Sequence, residues 1–136
     1  MVNSETVWEF STKRFCVHLE ITPDYGYSYD GNDEGGETQA RLDNGEYVAF
    51  DSRVVVKLDG REIGSGSLGG SIYETNNVRQ FWTAHRSADP MNRNCSIMRK
   101  SRGDNIVICH YFPDMVRTAI DKARKYLANS PHVRAA

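Results

Sequence analysis

The chain has 136 residues, 39% of them hydrophobic and 26% charged, with a formal net charge of −1. Those values exclude a disordered or fibrous chain and fit one domain that folds without disulfides or metals. A near-zero net charge also argues against whole-molecule imitation of DNA.

No apolar run approaches the roughly 20 residues that cross a bilayer, and "MVNSETVWEF" lacks the basic and apolar regions of a signal peptide. A cytoplasmic protein without a membrane partner is expected. Cys16, Cys95 and Cys109 are odd in number and widely spaced, which fits free thiols in a reducing compartment. The small net charge hides an asymmetry. Residues 1–76 carry 6 basic and 14 acidic groups, net −8, and residues 77–136 carry 11 basic and 4 acidic, net +7. The halves either neutralise one another in the fold or leave two poles.

In chain order, "KRFCVHLEIT" alternates Phe15, Val17, Leu19 and Ile21 against Arg14, Cys16, His18 and Glu20. That is the period of a strand with one buried face, and Pro23 ends it. "DYGYSYDGNDEGGE" follows, with five carboxylates, four glycines, three tyrosines and no basic residue. "ETQARLDNG" then reads as a short helix stopped by Gly45.

"YVAFDSRVVVKL" is the clearest strand, with Val48, Phe50, Val54, Val56 and Leu58 on one face. Asp59-Gly60 predicts a two-residue hairpin because both residues tolerate positive φ. "REIGSGSL" returns antiparallel, its Gly64 and Gly66 marking a bulge or a close backbone approach. Val78, Phe81, Trp82 and His85 fall at helical spacing, with Thr75 or Asn76 available as a cap. "NIVICHYF" reads as a short buried strand. A helix beginning near Pro113 carries a stripe of Met115, Val116, Ala119, Ile120, Ala123, Tyr126 and Leu127, with Arg117, Asp121 and Lys125 outside it. Strands first and helices later predict one α+β domain over 1–136: an antiparallel sheet of three to four strands with helices packed on one face.

The acidic loop carries the leading site. Asp30, Asn32, Glu34 and Gly35 match positions one, three, five and six of a calcium hand, but position twelve is Arg41 and a strand precedes the loop. The alternative is contact with a cationic surface through Tyr25, Tyr27, Tyr29, Asp30, Asp33, Glu34 and Glu37. The tyrosines serve as rigid anchors, all on one side if the segment is extended. The structural alternative is a continued edge strand with the tyrosines packed on the sheet. At the other pole, Arg86, Arg93, Arg99, Lys100 and Arg102 form a basic loop suited to phosphates, without the interleaved aromatics of a single-strand binder.

No catalytic, metal or cofactor site is expected. His85, Cys95, Cys109 and His110 lack the close ligand pairs of zinc sites, and no cysteine has a base assigned beside it. His18 reads as a surface or satisfied histidine. "GSGSLGG" lacks the lysine of a P-loop and follows a hairpin strand.

Two stretches, "GEYVAFDSRVVVKLDGREIGSGSLGGSIYE" and "YFPDMVRTAIDKARKYL", resemble a family of small uncharacterised proteins of bacteria and their phages or other mobile elements. The likeness runs from about Gly45 to Leu127, and the connection around Met91 to Arg102 is longer than that pattern has. The resemblance implies an α+β fold and no catalytic residue. It implies a partner among host defence machinery, as for anti-CRISPR proteins: a host protein or nucleoprotein complex with a basic surface, met by the acidic loop. The competing expectation is a nucleic-acid-binding accessory protein using the basic loop with Arg117, Arg124 and Lys125.

Overall fold

The computed structural model describes residues 4–29, 31, 34–83, 85–87, 95–101, 104–109 and 111–129; residues 34, 85–87, 95–101, 104–105 and 107–109 are described by their backbone. Four strands, β1 (Glu5–Ser11), β2 (Phe15–Pro23), β3 (Tyr47–Leu58) and β4 (Arg61–Glu74), form one antiparallel sheet in the order β1-β2-β3-β4. A short helix α1 (Glu37–Asp43) lies between β2 and β3, against β3. After β4 come a 3-10 helix (Thr75–Phe81), a second sheet of β5 (His85–Ser87), β6 (Cys95–Ser101) and β7 (Asp104–Cys109) in the order β5-β7-β6, and the long helix α2 (Tyr111–Ala128).

Period-two alternation builds the main sheet. Leu19 pairs with Val54, Val17 with Val56 and Phe15 with Leu58, so the apolar sets of β2 and β3 share a face. The β3–β4 turn is the expected one, with Asp59 at φ 50° and Gly60 at φ 83°. Both positive values match the right-handed twist of a two-residue hairpin. In β4, Val56 pairs with Gly64 and Lys57 with Glu62, which makes Ile63 the extra residue of a bulge; it is buried.

The apolar stripe of α2 lies on this face. Phe112, Met115, Ala119 and Ala123 are buried, while Arg117, Asp121 and Lys125 are exposed. Gly64 and Gly66 admit the helix: a Cβ at Gly64 would overlap the Ala119 carbonyl and stand 2.7 Å from the Ala123 nitrogen, and one at Gly66 would stand 2.8 Å from the Met115 carbonyl. Both expectations for these glycines, bulge and close approach, hold at neighbouring positions. Phe50 and Phe81 meet edge to face at 5.3 Å, and Trp8 caps Phe112 at 5.0 Å. Among the described residues no helix is long and apolar enough to cross a membrane.

Two local expectations are corrected. Thr75–Phe81 is a 3-10 helix, without a capping side chain at its start, and His85 begins a strand. The spacing Val78 to Phe81 is i, i+3, which a three-residue turn satisfies as well as an α-helical one. The expected basic loop is strand at its described positions: Arg86 lies in β5 and Arg99 and Lys100 in β6, each strand pairing with one edge of β7. Finally, β1 was not anticipated. Its register shifts between Thr6 and Trp8, an irregularity that breaks simple alternation there.

Candidate functional site

Pro23 ends β2, and the chain then turns tightly at the end of the sheet where β3 begins. The Asp24 N–H donates to the Ala49 carbonyl at 2.9 Å, and Asp24 Oδ1 accepts from the Gly26 N–H at 3.2 Å. That side-chain turn suits an aspartate before glycine. From α1, Gln39 reaches back to this segment: its Oε1 accepts the Tyr29 N–H at 2.7 Å, and its Nε2 donates to Asp43 Oδ1 at 3.0 Å. Glu37 and Arg41, one turn apart on α1, form an ion pair at 2.6 Å. Gly45, at φ 85°, then reverses the chain into β3.

The result is a cleft of about 150 Å³ lined by Asp24, Tyr25, Tyr27, Leu42, Asp43 and Tyr47, with Ala49, only 2% exposed, among its wall residues. Tyr25 is 80% exposed, and Tyr27 and Tyr47 are half-buried. Tyr27 packs close to Gly70 of β4, where an added Cβ would stand 3.4 Å from its hydroxyl. Tyr47 also lines an adjoining groove with Arg41, Glu46, Glu74 and Asn76. There the Arg41 guanidinium lies 5.3 Å from the Tyr47 ring centroid and donates to its hydroxyl at 2.9 Å.

Of the sequence-predicted acidic site, Tyr25 and Tyr27 are brought together. Tyr29 is half-buried, held through its backbone by Gln39, and is not among the cleft residues. The three tyrosines therefore do not stand on one side of an extended segment, and residues 24–29 do not continue the β2 strand. The turn and the Gln39 hydrogen bonds win over the alternating pattern. Glu37 is exposed, Glu34 begins a 3-10 turn, and Asp30 and Asp33 lie outside the described residues. Arg41, at the twelfth position of the calcium-hand match, is bound to Glu37 and Tyr47. Among the described residues no group of three or more side chains could hold a metal.

Of the basic set, Arg86 and Arg99 lie opposite Ile106 from either side of β7, and Lys100 lies opposite Asn105. Arg93, Arg102 and His110 fall outside the described residues. The register also sets Cys95 opposite Cys109. His18 is 7% exposed and its Nε2 is 2.9 Å from Glu20 Oε2, a satisfied histidine as the sequence suggested.

Asp24, Leu42, Asp43 and Tyr47 were missed as site residues. The available signal was Gly45, a helix stop that folds α1 back beside the first residue of β3. The described ion pairs settle how the charge is spent locally. Arg14–Asp59, Arg41–Glu37, Arg41–Glu46, Arg53–Glu20 and Arg53–Glu62 stay within 1–76, and Arg117–Asp114 and Arg124–Asp121 within 77–136. Among the described residues none joins the halves. Comparison with protein-family models, with curated proteins and with solved structures returns no match to this chain.

Proposed function

We propose that this protein is a non-enzymatic binding protein whose acidic, tyrosine-bearing end docks on a cationic surface of a partner. The observation that carries the reading is the segregation of charge: described ion pairs bridge strands and turns inside the acidic half and leave Asp24 and Asp43 without a basic partner among the described residues. Beside them stands Tyr25, 80% exposed. A rigid ring with a polar tip, set among carboxylates, is the composition of an interface anchor. Complementary charge then steers a basic partner onto it. The resemblance to mobile-element proteins supplies the partner class, a host defence complex whose basic surface otherwise receives nucleic acid, and the activity is inhibition by occupancy.

The test is capture from bacterial lysate, with and without nuclease, by the wild type and by a variant carrying Asp24→Lys, Asp43→Lys and Glu46→Lys. All three positions are exposed, so the variant is expected to fold, its unfolding transition lowered only by the turn and Gln39 hydrogen bonds lost at Asp24 and Asp43. A nuclease-resistant protein partner, lost with the variant, supports the proposal. Equal capture by both chains would end it.

A second reading rests on the second sheet, whose register gathers Arg86, Arg99 and Lys100 about β7. It makes the protein a nucleic-acid-binding accessory. In that case binding to DNA or RNA falls steeply with salt, with a slope set by the number of phosphates neutralised, and is indifferent to the charge reversal at the acidic end.

A further inference from the structure

We infer that the cleft between Tyr25, Tyr27, Tyr47 and the carboxylates of Asp24 and Asp43 receives a single arginine side chain from the partner protein. This rests on the docking reading above and names the chemistry at its centre.

Size comes first. At about 150 Å³ the cleft is below the ~300–1,000 Å³ of sites for nucleotides and other drug-sized ligands. It is the size of a cavity that holds one benzene-sized group, on the order of 150 Å³, which matches a planar guanidinium with part of its stem. The lining divides in the same way. Leu42 and Ala49 supply apolar lining suited to methylenes, and three tyrosines supply aromatic lining, the kind that attracts a cation.

Charge selects the occupant. Asp24 Oδ1 accepts one hydrogen bond from Gly26, and Asp43 Oδ1 accepts one from Gln39. An ionised carboxylate has about four acceptor sites, so each retains capacity for a charged donor. They are the charged residues of the lining, which includes no basic side chain, so the cleft favours a cation.

Geometry favours arginine over lysine. Tyr47 lines both this cleft and the adjoining groove, and in that groove it already receives the Arg41 guanidinium at 5.3 Å. Arg41 is itself paired with Glu37 and Glu46, which offset its charge beside that ring. A guanidinium stacks on aromatic faces and is more weakly hydrated than an ammonium, so less is lost when it leaves water.

The experiment is an NMR titration of the full chain, following the ring protons of Tyr25, Tyr27 and Tyr47, with N-acetyl-arginine methylamide as probe. N-acetyl-citrulline methylamide serves as the uncharged isostere, and the lysine and trimethyl-lysine analogues as alternative cations. A saturable shift of these three tyrosines is expected, with a dissociation constant of roughly 1–10 mM, the weak end of specific binding. The citrulline probe leaves them unmoved. Tyr25→Ala and Asp43→Asn each weaken the arginine probe by about two- to fivefold, the range of an exposed cation–π contact for the first and of an exposed ion pair for the second.

Absence of a saturable shift at the tyrosines, an equal response to citrulline, or tighter binding of either lysine analogue overturns the assignment. The docking reading fails separately. If the probe does not bind but capture is still lost on charge reversal, the acidic end is the interface and the cleft is not its anchor. If the probe binds as expected and capture survives charge reversal, the cleft accepts a guanidinium and the docking reading falls.

Discussion

The two faces of the main sheet are finished by opposite means. On the face toward α2, Leu19, Phe50, Val54 and Phe81 are at most 1% exposed, and glycines in β4 bring the helix backbone against the sheet. On the other face Val55 is equally buried, but its neighbours are polar: His18 on Glu20, and Arg53 between Glu20 and Glu62. There Arg53 pairs with Glu20 and Glu62, and all three stay partly exposed. The first face carries the stability of the domain. The second, with Tyr47 and Ala49 at its end, is free to carry a cleft.

The largest effect expected on this contrast comes from Gly64→Ala. Its added methyl would overlap the Ala119 carbonyl, and backbone on a packed helix yields little. A loss of about 3 kcal/mol is expected, the upper range of overpacking, read as a lowered urea midpoint with an unchanged slope. A loss within ~0.5 kcal/mol, the level of ordinary surface substitutions, would mean that α2 does not sit on the sheet as closely as described.

Arg53→Met probes the other face. It keeps an unbranched apolar stem and removes a guanidinium that bridges Glu20 of β2 and Glu62 of β4. All three side chains are partly exposed, so a loss of no more than ~1 kcal/mol is expected at low ionic strength, shrinking in 1 M salt as screening removes the pair energy. A cost matching that of Gly64→Ala, unmoved by salt, would erase the distinction between the faces.

That distinction was partly legible in the sequence. The β3 pattern marks its own ends at Tyr47 and Leu58 because one face is uniformly apolar and Asp59-Gly60 punctuates it. The α2 stripe is equally plain, since seven apolar residues recur at helical spacing. Strand β1 was hidden because its irregularity sets Val7 and Trp8 side by side in an alternating segment. Strands β5 and β6 were hidden because a three-residue strand has no period to read and β6 carries three polar or charged residues in its last three positions. For the site, Tyr25 and Tyr27 stood out by composition, whereas Asp43 and Tyr47 became site residues only when the Gly45 turn set α1 beside β3. Such a meeting is tertiary, and local periodicity does not encode it.

The smallest effect tests the end of the sheet opposite the cleft, where the two hairpin turns are tied. The Asp59 N–H donates to the Arg14 carbonyl at 3.0 Å, and the Arg14 guanidinium donates to the Asp59 carboxylate at 2.6 Å. That hydrogen bond, with the attraction of the charges, holds the Asp59 carboxyl below its usual value against a smaller opposing effect of desolvation. A carboxylate with a lowered folded-state pKa adds stability above the unfolded value of about 3.9 and loses it as pH falls through the folded value. Asp59→Asn removes the charge and keeps a residue that tolerates φ 50°. The wild type is therefore expected to be slightly the more stable at pH 6–8, with the gap closing as the pH is lowered past about 4. Because both groups lie near the surface, salt should narrow the gap at neutral pH as well. A gap that persists unchanged at pH 2 would instead assign the effect to the turn backbone, and the ionic tie between the hairpins would contribute nothing.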